Sequence, residues 1–163
     1  MKRVLIGATV ATLVFVGVGF GALSKTPGPS VQKLATLYQI DGIEKTWHKA
    51  ASTKNLDLMM SLWAPNATQT LGGKTYTGKA AIRAVFAKAG PFQPQNHWIS
   101  DTPAYKIRAT VNGDKGTLYF ECHYIDVDTG KVAAVVGADL QVRKINGKWL
   151  ITNLTASTVT LQP

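Results

Sequence analysis

The chain has 163 residues, 45% of them hydrophobic and 17% charged, with a formal net charge of +9. That length and balance suit one globular domain with its own core and leave no room for two. A single cysteine, Cys122, excludes an internal disulfide framework and any cysteine-rich zinc site.

The chain begins with the basic "MKR", and Val4 to Leu23 then carry no charge. This is the pattern of an export segment. Ala22 and Ser24 suit cleavage after Ser24, but an apolar run of about 20 residues also suffices to cross a bilayer uncleaved. Residues 1–24 are therefore expected to be a signal peptide or an N-terminal membrane anchor, tethering through residues 4–23 in the second case. "KTPGPS", residues 25–30, reads as a stiff Pro/Gly linker. The domain is expected over 31–163. Beyond residue 24, sixteen basic residues stand against nine acidic ones, a net charge of +7, with no run of charge longer than two. Scattered charge without an aromatic-basic motif argues against nucleic acid and leaves anionic lipid or cell-wall polymer as charged partners.

Within the domain, "DGIEKTWHKAAS" shows a capping pattern from Asp41 to Glu44 and places Ile43, Trp47 and Ala50 on one helical face. The preceding "SVQKLATLY" is either a separate turn or part of the same helix. "NLDLMMSLW" opens a second helix at Asn55, with Pro65 as its stop. "NATQTL", Gly72-Gly73 and "KTYT" read as a short hairpin. A third helix, "KAAIRAVFAKAG", follows Gly78. The pattern then changes to period two through "YKIRATV", "TLYFECHYIDV", "KVAAVVGADLQVRKI" and "WLITNLTAST", separated by turn signals. Three helices followed by long antiparallel strands define an α+β domain. A curved sheet wrapped around the helices makes a cone with an open mouth.

Four stretches, "KNLDLMMSLWAPNAT", "YTGKAAIRAVF", "VNGDKGTLYF" and "VRKINGKWLIT", together resemble the SnoaL-like branch of the nuclear transport factor 2-like superfamily over residues 41–160. The resemblance implies the cone fold and a homodimer paired through the outer face of the sheet. It implies no single chemistry, since the family holds cyclases, isomerases, hydrolases, dehydratases and proteins without known activity. The carboxylate base of ketosteroid isomerase would fall on Leu71, which cannot abstract a proton. The first-helix phenol would fall near Trp47, and the late-strand acid on Asp139.

Among the residues themselves, Asp139 sits in the otherwise apolar "VVGADLQV", where burial would raise its pKa. Strict alternation instead groups it with Gly137, Gln141 and Arg143 on a solvent face. His123 and Glu121 share one face of a strand and have the parts for acid–base work. His97 leads a strand with Trp98, either at the rim of the mouth or, as is commoner for a loop histidine, as plain surface, and His48 is expected to face water. No HxH or HExxH spacing calls for a metal, and no cofactor is implied. Trp47, Trp63, Phe86, Trp98, Glu121 and Tyr124 are the candidate ligand contacts. For the dimer, Val136, Leu140 and Val142 would give the outer face an apolar stripe. The leading function is binding of a small, mostly apolar molecule in the cone. The alternatives are an acid–base enzyme using Asp139 with His123 or His97, and an envelope interaction domain with a filled core.

Overall fold

The computed structural model describes residues 28–159. Residues 1–24, expected to be an export segment, and the first half of the expected linker, residues 25–27, lie outside the described residues. Ser30 opens helix α1, Val31–Ser52, by accepting a hydrogen bond from the Lys33 N–H at 3.2 Å. "SVQKLATLY" is thus part of the first helix. Asp41 lies inside it and pairs with Lys45 one turn on, at 2.7 Å. Lys54, in the left-handed region at φ 53°, breaks the chain direction. Asn55 then caps α2, Leu56–Ser61, by accepting from the Leu58 N–H at 2.9 Å.

Pro65 does not act as the helix stop. The helix already ends at Ser61, and Pro65 lies within strand β1, Trp63–Leu71, where the register shifts. A proline is tolerated there because it breaks no regular ladder bond. Gly72 and Gly73, both with positive φ, form the tight turn to β2, Lys74–Thr77. Helix α3, Lys79–Phe86, buries Ile82 and Phe86. After a short 3-10 turn at Gly90–Phe92 come β3, Trp98–Asp101, a second 3-10 turn at Ala104–Lys106, and β4, Arg108–Asn112. The long strands β5, Lys115–Asp126, β6, Lys131–Ile145, and β7, Lys148–Thr158, complete the sheet.

The sheet order is β2-β1-β7-β6-β5-β3, with β4 also on β5. Every pairing is antiparallel except β1 with β7, which is parallel, so the sheet is mixed rather than purely antiparallel. Both β3 and β4 use the same edge of β5. β4 pairs with Lys115–Tyr119 and β3 with His123–Asp126, leaving a gap at Phe120, Glu121 and Cys122.

Alternation along β5 sends Leu118, Phe120, Cys122 and Tyr124 inward, against the helices. On β6, Ala138, Leu140 and Val142 point the same way, with Leu140 0% and Val142 1% exposed. This corrects the apolar outer stripe expected from Val136, Leu140 and Val142. These side chains pack on the core, and the outer face carries Asp139, Gln141 and Arg143 instead. Val136, Leu140 and Val142 therefore give no apolar outer stripe on which a second copy could pair.

Candidate functional site

The helices do not fill the cone. A cavity of about 120 Å3 remains between α1, α3 and the inner face of the sheet. Small side chains leave the space: Ala138 on β6 and Ala156 on β7 are cross-strand partners and both line it. Aromatic rings wall it. Trp47 from α1 and Phe86 from α3 meet edge to face at 5.2 Å, and Tyr124 enters from β5.

Among the described residues, Gln69 Oε1 is a wall atom buried without a hydrogen bond, and the residue is only 4% exposed. Trp47 Nε1, on a residue also 4% exposed, lies beside the Tyr124 hydroxyl and the Cys122 thiol. Trp63 Nε1 and Trp149 Nε1 are likewise buried without a partner, away from the cavity. Gln69 faces inward because β1 alternates Ala67, Gln69 and Leu71 toward the cone. Burial above all pushes the Tyr124 phenol well above its ordinary value, and the neighbouring Cys122 adds to this. Burial also pushes the Cys122 thiol up to about 12. Among the described residues, no Asp, Glu, Lys, Arg or His lines the cavity. Its wall is uncharged at neutral pH.

An open groove between the β1–β2 hairpin and α3 leads to it. Leu71, Val85 and Ala89 line both groove and cavity, and Lys74, Tyr76 and Lys88 edge the groove. The stretch from Trp63 to Phe86 thus builds both wall and doorway. A second shallow groove, about 480 Å3, runs elsewhere past Thr117, Gln141 and Arg143. It is open to solvent, and Arg143 there is held by Asp114 at 2.8 Å.

Asp139 does not reach the cavity. It is exposed on the outer face, between Tyr119 and Thr155 in the ladder. Asp139→Asn is expected to change the unfolding free energy by less than about 0.5 kcal/mol. Urea melts of the two proteins at neutral pH check this.

His123 and Glu121 also point outward. Glu121 is 6% exposed, covered by the polar groups it binds: Lys106 Nζ at 3.0 Å, the Tyr119 hydroxyl at 3.1 Å and His123 Nε2 at 3.4 Å. Desolvation pushes its carboxyl up, but hydrogen bonds from Lys106, His123 and Tyr119 together outweigh this and leave its pKa below the ordinary 4.5. The folded carboxyl then holds its proton less tightly than the unfolded one. Its stabilisation is complete above the unfolded pKa and is lost as pH falls through the folded pKa. Glu121→Gln is expected to flatten the acid limb of the stability profile. Urea melts from about pH 6 to about pH 3 test this, and an unchanged limb would assign the acid loss to other carboxylates.

His97 lies at the surface, paired with Asp128 at 2.8 Å. None of the three catalytic candidates, Asp139, His123 and His97, faces the cavity. Of the six ligand candidates, Trp47, Phe86 and Tyr124 line it. Trp63 lies behind Trp47 and Phe86, at 6.2 and 5.9 Å. Trp98 packs beside Tyr124 at 6.2 Å and over Gly90, where an added Cβ would stand 2.5 Å from the indole. Glu121 is on the far face of the sheet. Gln69 was not among the candidates.

His48 is the larger correction. It does not face water: it is 7% exposed beside Glu44, which is 4% exposed. Its Nε2 lies 2.6 Å from Thr102 Oγ1 and 3.0 Å from Glu44 Oε1, and its Nδ1 lies 2.6 Å from Ser100 Oγ. The Thr102 hydroxyl donates to the Glu121 carbonyl at 2.8 Å, in the gap between β3 and β4. Its oxygen therefore accepts from His48, which places a proton on Nε2. The chain of bonds seals the broken sheet edge against α1. The spacing of Glu44 and His48, one helical turn apart, was its sequence signal.

Among the described residues no group of three or more His, Cys, Asp and Glu is placed to hold a metal. No helix among them is long and apolar enough to cross a membrane.

Among curated proteins, none matches this sequence. Solved structures do match. An NTF2-like protein of unknown function from Pseudomonas putida superposes with a TM-score of 0.67 at 13% identity, over 80% of this chain and 98% of the other. A candidate dehydratase of the NTF2-like family from Streptomyces avermitilis gives 0.64 at 13% identity, over 79% and 99%. A candidate aromatic ring hydroxylase from Novosphingobium aromaticivorans gives 0.62 at 18%, over 78% and 92%. Identities this low carry the fold and no activity. The SnoaL-like domain family matches at residues 45–150, most of the described chain. With the cone, the order of its elements and this match in hand, the chain belongs to the SnoaL-like domain family.

Proposed function

We propose that the chain binds a small, mostly apolar molecule non-covalently inside the cone, reached through the groove between the β1–β2 hairpin and α3. The observation that carries this reading is the uncharged cavity with aromatic walls and the unpartnered Gln69 Oε1. Pockets of this make-up, apolar with a few placed polar groups, are the usual form of small-molecule sites. Acid–base catalysis would need a group that exchanges protons near neutral pH within reach of the ligand. The cavity wall offers none. An interaction domain with a filled core would have larger side chains at Ala138 and Ala156.

Titration of the protein with benzene and toluene, followed by NMR, tests the reading. Saturable shifts at Phe86 and Tyr124 are expected, together with their loss in Ala138→Leu, which fills the space. Absence of saturable binding by any single-ring probe at millimolar concentration would refute it. Delivery outside the cytoplasm is part of the same proposal and rests on the sequence alone. A reporter active only outside the cytoplasm, fused after residue 30, is expected to be active. An inactive reporter at normal expression would remove the export claim.

A further inference from the structure

We propose that the first two turns of α1 lie on a membrane surface, through the apolar side chains of Val31, Leu34 and Tyr38. This rests on residues 4–23 being retained as a membrane anchor, and it is independent of what the cone binds.

Helix α1 has two apolar faces. At 3.6 residues per turn, Ile40, Ile43 and Trp47 fall on one side, and Val31, Leu34, Ala35 and Tyr38 on the opposite one. The first side packs in the core. The second is open to solvent: Val31 is 83% exposed, Leu34 51% and Tyr38 72%. Lys33 and Leu37, on the flank, line one groove with Ala109 and Val111 of β4, so the stripe belongs to a helix seated on the sheet. A surface helix ordinarily turns polar residues to water. An apolar stripe turned outward marks a contact that the described residues do not supply.

Three features say what covers it. The first is reach. The uncharged run ends at Leu23, and residues 24–30 join it to α1. Seven residues span about 25 Å at full extension, so an anchored chain starts α1 close to the headgroups. The second is charge. No Asp or Glu stands before Asp41, while Lys25 and Lys33 flank the start of the helix. Lys45 and Lys49 continue the face of the stripe, Lys45 in its pair with Asp41. Lysines close to a bilayer are drawn to anionic headgroups. The third is Tyr38, which ends the stripe with the Lys45 ammonium 4.9 Å from its ring centre. An apolar ring with a polar tip suits the boundary between acyl chains and headgroups. A second copy fits less well. Three large side chains and an alanine bury far less than the roughly 800 Å2 per partner of a stable interface.

The test uses the full chain in vesicles of phosphatidylcholine and phosphatidylglycerol, with an environment-sensitive fluorophore on Ala35→Cys. Cys122 is fully buried and stays unlabelled in the folded protein. Nitroxide-labelled lipid quenches a fluorophore at the bilayer surface and leaves one in water bright. Blue-shifted emission and strong quenching are expected at position 35. Neither is expected at Thr129→Cys, on the exposed β5–β6 turn at the end of β5 away from β4. Leu34→Glu with Tyr38→Glu, added to Ala35→Cys, should abolish the quenching while the chain still floats with the vesicles. Both positions are exposed, so these changes leave the core untouched. Quenching that survives them would assign the proximity to the tether alone and overturn the role of the stripe. Water-like emission at position 35 in the anchored chain would overturn the docking. Cross-linking between copies through Ala35→Cys would then assign the stripe to a second copy. A mature protein that begins at Lys25 by mass spectrometry would remove the anchor, and the proposal with it. The reporter fused after residue 30 reads export separately, so loss of docking and loss of export are told apart.

Discussion

His48→Leu is expected to lower the unfolding free energy by about 2–4 kcal/mol, because it leaves several buried hydrogen-bonding groups without a partner, at about 1–3 kcal/mol each. The substitution fills the same space but strands Glu44, which is 4% exposed and has His48 Nε2 at 3.0 Å as its partner. It also removes the acceptor or donor for Ser100 Oγ and the donor for Thr102 Oγ1, each at 2.6 Å. Urea unfolding at neutral pH measures the loss. The double variant Glu44→Leu with His48→Leu should recover much of it, because removing both partners leaves neither of them unmet. That recovery separates electrostatics from packing. A single-variant loss under about 1 kcal/mol would show that water reaches Glu44 and that the cluster is not sealed. Should the single variant not fold, the double variant remains readable.

Phe120→Ala is the second large effect, expected to cost about 3–5 kcal/mol. Phe120 is 0% exposed and packs edge-on to both Trp47 and His48, each at 5.6 Å. It stands between Trp47, on the cavity wall, and the Glu44–His48 cluster. Truncation opens a void against a polar group and an aromatic wall at once, so the site cannot collapse cheaply. Phe120→Leu keeps most of the volume and should cost markedly less, about 1–2 kcal/mol. Thermal and urea melts of the pair give the comparison. Equal losses in the two variants would mean that ring geometry, not volume, carries the stabilisation.

Much of the fold could be read from residue order. The period-two runs gave β5, β6 and β7, and Gly72-Gly73 gave the hairpin turn through its positive φ. The strict alternation around Asp139 already put that residue with Gln141 and Arg143, on the face where it stands. The dimer stripe went wrong because alternation separates two faces without saying which one meets the helices. Val136, Leu140 and Val142 were consistent with either side until the core was assembled.

The site was less legible. Trp47, Phe86 and Tyr124 could be named because large aromatics dominate any interior. Gln69 was passed over because a glutamine in a short polar strand reads as solvent-facing, and only the wrap of β1 along β7 turns it inward. That pairing is parallel and joins strands far apart in sequence. No local pattern encodes it, since a strand's periodicity fixes its faces and not its neighbour.

The sequence by itself determined where helices and strands form, because periodicity, caps and turn glycines act over a few residues. It also determined that no metal spacing or disulfide framework is present. Tertiary structure decided what those elements enclose. Ala138 and Ala156 leave a cavity only because β6 and β7 bring them side by side. His48 is buried only because β3 and β4 break apart on the edge of β5, and Thr102 fills the break from above α1. Both depend on contacts between distant segments, whose geometry is set by how the sheet curls around the helices rather than by any local run of residues.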